Sequence, residues 1–197
     1  DDNALKIELT DLTPSTRYYY RVVNEGGAPV SEVQSFRTFP DEGSNVDLNI
    51  LFGSCQQSRP TDSGGVFEVD AIKDADLFVH LGDWAYPDVR VPNFPRTDSS
   101  VRASYAFRLD TSYPFARRIL TRMPLAYEWD DHDAFGDNSN GTAPAAVKRR
   151  VRDAYGRYVP SYPLPNPDGI WHSFRIGNVE VFMLDSRTFR SPVDSAF

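Results

Sequence analysis

Leu77-Phe78-Val79-His80-Leu81-Gly82-Asp83-Trp84-Ala85-Tyr86 is the stretch that decides how this chain folds. An apolar run from Leu77 to Val79 meets Gly82 and stops, which is the pattern of a buried strand over 77–81. His80, Asp83 and Tyr86 crowd its end. A buried strand that closes in a Gly-Asp turn delivers a carboxylate to the carboxyl edge of a sheet, where α/β proteins bind ligands. Read blandly, the same stretch is a strand followed by an ordinary turn, with Asp83 in solvent.

The composition narrows the field. The chain has 197 residues, 40% hydrophobic and 25% charged, which is enough for one or two globular domains with a real core. No apolar run approaches the roughly 18 residues that span a bilayer, so no transmembrane segment is expected. The net charge of −7 argues against a nucleic-acid scaffold, which would need a basic face. It leaves a phosphate ester substrate open, because bound cations reverse a local field. The single cysteine, Cys55, excludes an intramolecular disulfide. The thiol is then a small buried hydrophobe, a reactive group or a metal ligand. The chain opens at Asp1 with no signal peptide, and both ends read as cut from something longer with any leader removed. A secreted, periplasmic or extracellular location is expected.

Outward from the central stretch, residues 5–39 read as all-β. Leu5–Leu9 and Val33–Phe39 alternate apolar and polar, and Tyr18–Val23 is aromatic and β-branched. Asn24-Glu25-Gly26-Gly27 is a turn. The run Leu12-Thr13-Pro14-Ser15-Thr16-Arg17-Tyr18 resembles the tyrosine corner of fibronectin type III-like sandwiches. Only three strands are visible, so the expectation is the C-terminal strands of a sandwich over residues 1–40. A polar, turn-rich linker follows at Pro40–Asn45.

Beyond the linker the pattern becomes α/β. Leu48–Cys55 is a strand, Val66–Lys73 fits a short helix with Val66, Val69 and Ile72 on one face, and 77–81 completes a parallel βαβ unit. Proline-rich 87–98 reads as a loop. Helices are expected over Ser99–Leu109 and Ser112–Thr121, with Ser99 and Ser112 as caps. Pro124–Trp129 is a third strand and Ala143–Tyr158 a helix carrying Lys148, Arg149, Arg150 and Arg152. Ile170–Ile176 and Val179–Leu184 are strands joined at Gly177-Asn178.

Reactive residue types fall just after four of these strands: Cys55, then Asp83 with Tyr86, then Asp130-Asp131-His132-Asp133, then Asp185 with Arg187. Taken singly each reads blandly: a buried thiol, a packed tyrosine, a solvated turn, a solvated basic helix face. Taken together they place carboxylates at one sheet edge, where they repel unless protons or cations compensate. Hard oxygen ligands mixed with a thiol and a phenol suit a transition metal beside a harder cation.

Gly53-Ser54-Cys55-Gln56, His80-Leu81-Gly82-Asp83-x-x-Tyr86, Trp129-Asp130-Asp131-His132-Asp133 with Asp137-Asn138, and Asp185-Ser186-Arg187-Thr188-Phe189-Arg190 resemble, in order, the motif series of the PhoD-type alkaline phosphatases and phosphodiesterases. These belong to the calcineurin-like metallophosphoesterases. The resemblance covers roughly residues 40–192. It implies that residues 41–197 are the N-terminal half of a four-layer αββα catalytic sandwich, preceded at 1–40 by part of a fibronectin type III-like β-sandwich domain. It further implies Cys55, Asp83 and Tyr86 as ligands to Fe3+, with Asp83 bridging to a second metal, often Ca2+, and Asp131 as a metal ligand. Other divalent metals fit the same positions. His132 is implied as the catalytic histidine. Trp84 stands where some relatives carry a phosphate-contacting arginine. A later Gly-Asp-x-His type motif has no match after Arg190, so the expectation is that a second chain or fragment, or a remainder outside this chain, carries the last ligands.

The resemblance implies hydrolysis of phosphate monoesters, diesters or both by a metal-bound hydroxide at a dinuclear iron/calcium-type centre. In such centres two cations about 3.5–4 Å apart clamp the phosphoryl oxygens, and His132 protonates the departing alkoxide. The substrate is a small-molecule or lipid phosphate ester. Two alternatives are a phospholipase D-type diesterase on the same fold and a non-catalytic, calcium-stabilised binding protein.

Overall fold

The computed structural model describes residues 5–56, 65–68, 70–91 and 93–192. They fall into two compact units. The smaller comprises Ile7–Asp47 with Phe174–Val181, and the larger is built on Leu48–Ser173 and the chain from Phe182 onward. Compactness therefore groups the tip of the last hairpin with the N-terminal segment.

In the smaller unit, β1 (Arg17–Tyr20) pairs antiparallel with β2 (Gln34–Arg37), placing Tyr18 opposite Phe36 with their rings stacked at 5.6 Å. The Thr13 amide donates to the Tyr18 hydroxyl at 2.7 Å, the backbone tie expected of the Leu12–Tyr18 run. Leu5–Leu9 does not form the expected strand: Leu5, Ile7 and Leu9 are 80%, 67% and 55% exposed. Alternation chooses a face but supplies no partner, and an unpaired strand gains nothing for its backbone groups.

In the larger unit, β3 (Ile50–Gly53), β4 (Leu77–His80) and β5 (Leu125–Tyr127) form a parallel sheet in that order. The crossover before β4 is not one helix but two 3-10 turns, Gly65–Glu68 and Asp70–Asp74. So short a segment cannot repay α-helix nucleation. Val69, expected on its apolar face, lies outside the described residues. The proline-rich loop contains one helical turn, α1 (Pro87–Arg90), with Pro87 at its start. Helix α2 (Asp98–Leu109) is capped by Thr97 rather than Ser99: Thr97 and Ser100 form a reciprocal capping box. The segment after Ser112 shortens to a π-turn, Ala116–Leu120. Helix α3 (Ala145–Tyr158) turns Val151, Ala154, Tyr155 and Tyr158 inward. They join Phe78, Tyr105, Phe115, Ile119, Tyr127 and Trp129 in one core.

Lys148, Arg150 and Arg152 of α3 are staples, while Arg149 stays exposed. Lys148 Nζ donates to the carbonyls of Gly141 and Thr188, Arg150 to Asp98 and the Arg96 carbonyl, and Arg152 to the Gly169 carbonyl. Strands β6 (His172–Ile176) and β7 (Val179–Met183) pair with each other, not with the parallel sheet. The two strands expected on either side of Gly177-Asn178 are thus a pair of their own, and among the described residues no helix is long and apolar enough to cross a membrane.

Candidate metal centre

The parallel register brings Gly53, His80 and Tyr127 level, so the residues after them emerge at one edge. The pairing continues past the strands. Leu81 N donates to Gly53 O at 2.8 Å, Cys55 N to Gly82 O at 3.1 Å, and Gln56 N to Asp83 O at 2.8 Å. This sets Cys55 beside Asp83. Both adopt left-handed backbone, with φ of 58° and 54°. Strain of that kind costs on the order of 1–3 kcal/mol per residue and collects at functional sites. Gly82, with φ of 92°, is required by space as well: a Cβ there would lie 2.5 Å from the Asp130 backbone nitrogen.

Asp83 is the focus. Its Oδ2 accepts from the Tyr86 hydroxyl at 3.2 Å and lies 3.9 Å from Cys55 Sγ, while its buried Oδ1 has no partner. Ligand atoms of Asp83, Asp131 and His132 lie within 4.8 Å of one another. Burial, and then the charges of Asp133, Asp131 and Asp130, push the Asp83 carboxyl up to about 6, against the pull of His132. Burial, followed by Cys55 and Asp83, also raises the Tyr86 phenol. An orphaned buried oxygen, a thiol, a phenol and crowded carboxylates form a donor set that fits a cation. Cys55, Asp83, Tyr86, Asp131 and His132 could each offer it an atom.

The neighbouring loop is tightly held. Asp131 accepts from the backbone of His132 at 3.0 Å and of Asn138 at 2.7 Å, with Arg187 Nη2 at 3.9 Å. Burial works against its ionisation, but these donors win and hold the carboxyl below its usual range. His132 Nδ1 donates to Asp88 Oδ1 at 2.8 Å, the direction an ionised carboxylate dictates. Burial pulls the imidazole down, but Asp88, Asp131 and Asp83 outweigh it, and the net shift is upward. The Tyr86 and His132 rings lie 4.5 Å apart.

Other residues take structural parts. Trp84 is buried among His80, Phe115 and Tyr127, which removes it from any phosphate contact. Asp185 accepts from Trp129 Nε1, Ile170 N and the Thr188 backbone and hydroxyl, so it braces the loop rather than joining the cluster. Arg187 donates to Asp130 and to the Ser139 carbonyl. Two further carboxylates matter: Asp133, which the strand-end pattern includes but gives no role, and Asp88, which it does not include. Asp133 accepts from Trp84 N at 3.1 Å, Ala85 N at 3.2 Å and Arg108 Nη2 at 2.7 Å, all buried. It therefore clamps the loop that carries Asp83. Its place in the acidic run after the third strand is the signal the sequence offers for it. Asp88, in the proline-rich loop, has none.

Comparison with known proteins gives a consistent result. The family model for PhoD-like phosphatases matches residues 50–196, and that for the N-terminal domain of purple acid phosphatases matches residues 2–38. The solved structure of PhoD is similar, with a TM-score of 0.71 and 26% identity over 93% of this chain and 40% of that one. This chain thus spans well under half the length of PhoD. The purple acid phosphatase PPD1 from yellow lupin (Lupinus luteus) seeds shares the fold, with a TM-score of 0.54 and 13% identity over 86% of this chain and 30% of that one. No curated protein sequence matches.

Proposed function

The chain belongs to the PhoD-like phosphatase family, and from that premise we propose that it hydrolyses phosphate esters, mono- or diesters, at a dinuclear centre built on Asp83. The observation that carries this reading is the Asp83 carboxylate, with one buried oxygen unpartnered and the other beside a thiol and a phenol. Cys55 and Tyr86 are the ligands that suit Fe3+, and Asp83 with Asp131 suits a harder neighbour such as Ca2+. Cations held by these residues would supply Lewis-acid polarisation of the phosphoryl oxygens and of a water.

The chain's own residues do the rest. Asp88 orients His132 through Nδ1, which leaves Nε2 to hold a proton for the departing alkoxide. The upward shift of His132 favours the protonated form that this task needs. Asp133 and Arg108 fix the loop carrying Asp83, and Gly82 lets it pass close to Asp130. In the same reading residues 1–40 are the end of a β-sandwich domain of an exported protein. Residues 41–197 are part of the αββα catalytic domain.

The test joins metal analysis to turnover. The chain is loaded with iron and calcium, its metal content is read by elemental analysis, and hydrolysis of a phosphomonoester, a diester and a phosphatidylcholine dispersion is compared. Asp83→Asn is expected to lose bound metal and turnover together. Unchanged metal content and full turnover in that variant would overturn the bridging role. Calcium without iron, and no hydrolysis, would favour a stabilising site.

A further inference from the structure

An open cleft of about 640 Å3 adjoins the centre, bounded by Asp88, Val89, Phe94, Arg96, His132 and Asp137. His132 is the residue shared between this cleft and the cation-competent group with Asp83 and Asp131. His132, the proton holder, therefore borders both the cleft and the place where cations would hold a phosphoryl group. The space falls in the range of sites that take small organic molecules and far exceeds what a phosphate alone needs.

We propose that this cleft receives the alcohol portion of the ester and selects organic alcohols that carry no negative charge. The inference rests on the hydrolytic reading above. Its first support is charge. Asp88 and the largely exposed Asp137 both line the cleft. Both cations among the bounding residues are already engaged: His132 with Asp88 Oδ1 at 2.8 Å, and Arg96 through Nε to Ala134 O at 2.8 Å and Nη2 to His132 O at 3.0 Å, with Asp88 Oδ2 3.7 Å from Nη2, which leaves the exposed Asp137 as the charge that an anion meets. A second phosphate or a carboxylate on the leaving group would meet like charge with its natural partner spent. The second support is the wall. Phe94 and Val89 offer apolar surface, and the Phe94 ring has Arg96 5.7 Å from its centroid, which fixes that arginine against the wall rather than in the open space.

Two arms test this. In the first, the metal-free chain is titrated with benzyl alcohol and with 4-(hydroxymethyl)benzoate, and binding is read by saturation-transfer NMR. Benzyl alcohol is expected to bind about tenfold more tightly, the size of one like charge a few ångströms away at a partly exposed site. Phe94→Ala is expected to weaken benzyl alcohol. Asp137→Lys, at an exposed position that folding tolerates, is expected to bring the benzoate level with it. Equal binding of the two alcohols by the unmodified chain, or no change in either variant, would overturn the proposal. In the second arm the iron- and calcium-loaded chain hydrolyses benzyl phosphate and 4-carboxybenzyl phosphate, and the charge is expected to raise KM rather than lower kcat. Turnover of both with equal KM would overturn the cleft proposal alone. Turnover of neither would count against the hydrolytic reading, with the NMR comparison still deciding what the cleft selects.

Discussion

Replacing Asp133 with Asn tests the clamp behind the metal centre, and its cost can be worked from the contacts. Two carboxylate oxygens serve four donors: Oδ1 takes Arg108 Nη2 at 2.7 Å and Ala85 N at 3.2 Å, and Oδ2 takes Trp84 N at 3.1 Å and Asp130 N at 3.4 Å. The Arg108 and Asp133 side chains are 1% and 0% exposed. Asparagine keeps the shape but offers one acceptor oxygen, so its amide must point NH2 at one of these donor pairs. Removing one partner of a buried ion pair costs about 3–5 kcal/mol, because the other charge stays in a low-dielectric site. That is a large part of the 5–15 kcal/mol typical of a domain. Urea unfolding followed by tryptophan fluorescence reports on this region, since Trp84 and Trp129 are both buried in it. Arg108→Met together with Asp133→Asn should restore part of the loss, giving a coupling energy of about 2 kcal/mol or more. An Asp133→Asn variant within about 1 kcal/mol of the parent, or a double variant whose loss is the simple sum of the singles, would refute this account of Asp133.

Three further outcomes are expected. Gly82→Ala should destabilise by several kcal/mol, on the order of 3, because it adds a backbone clash with Asp130 to a left-handed conformation; a melting temperature equal to the parent's would contradict the close approach. His80 is held neutral: burial dominates, and with Arg108 it overcomes the opposing pull of Asp133 to bring the imidazole to about 4, while Nδ1 accepts from Gly82 N. The unfolded chain takes up this proton below about 6.5 and the native chain resists until about 4. The contribution of His80 is therefore full above 6.5 and falls through that window, by about 2 kcal/mol at pH 5, while the Asp83 carboxyl, raised to about 6, contributes in the opposite sense. Urea unfolding of the parent and of His80→Leu at pH 7 and pH 5 isolates the His80 part: the pH dependence of the two should differ by about 2 kcal/mol. Asp88→Asn should move the His132 titration downward, since the carboxylate that offsets burial is gone; an NMR titration of the His132 ring that stays in place would remove Asp88 from its assigned part.

Much of the centre is legible in the chain's own pattern. Apolar runs that stop at Gly53, Gly82 and Trp129 report their own burial and ending, because burial acts on neighbouring residues and leaves a local pattern. Parallel pairing then forces the following residues to one edge, which is why Cys55, Asp83, Tyr86, Asp131 and His132 lie together. Local pattern misleads where a partner is needed: Leu5–Leu9 alternates but pairs with nothing described, whereas β6 and β7, joined by the short turn at Gly177-Asn178, find each other.

The sequence by itself determined which residue types close each strand and hence the kind of chemistry the edge can hold. Only the tertiary structure decided which donor each carboxylate meets. Asp133 with Arg108, Asp88 with His132, and Asp185 with Trp129 pair residues 25, 44 and 56 positions apart. The reason is physical: periodicity is written by contacts a few residues away, whereas a charge buried far along the chain finds its partner only when the core closes around both.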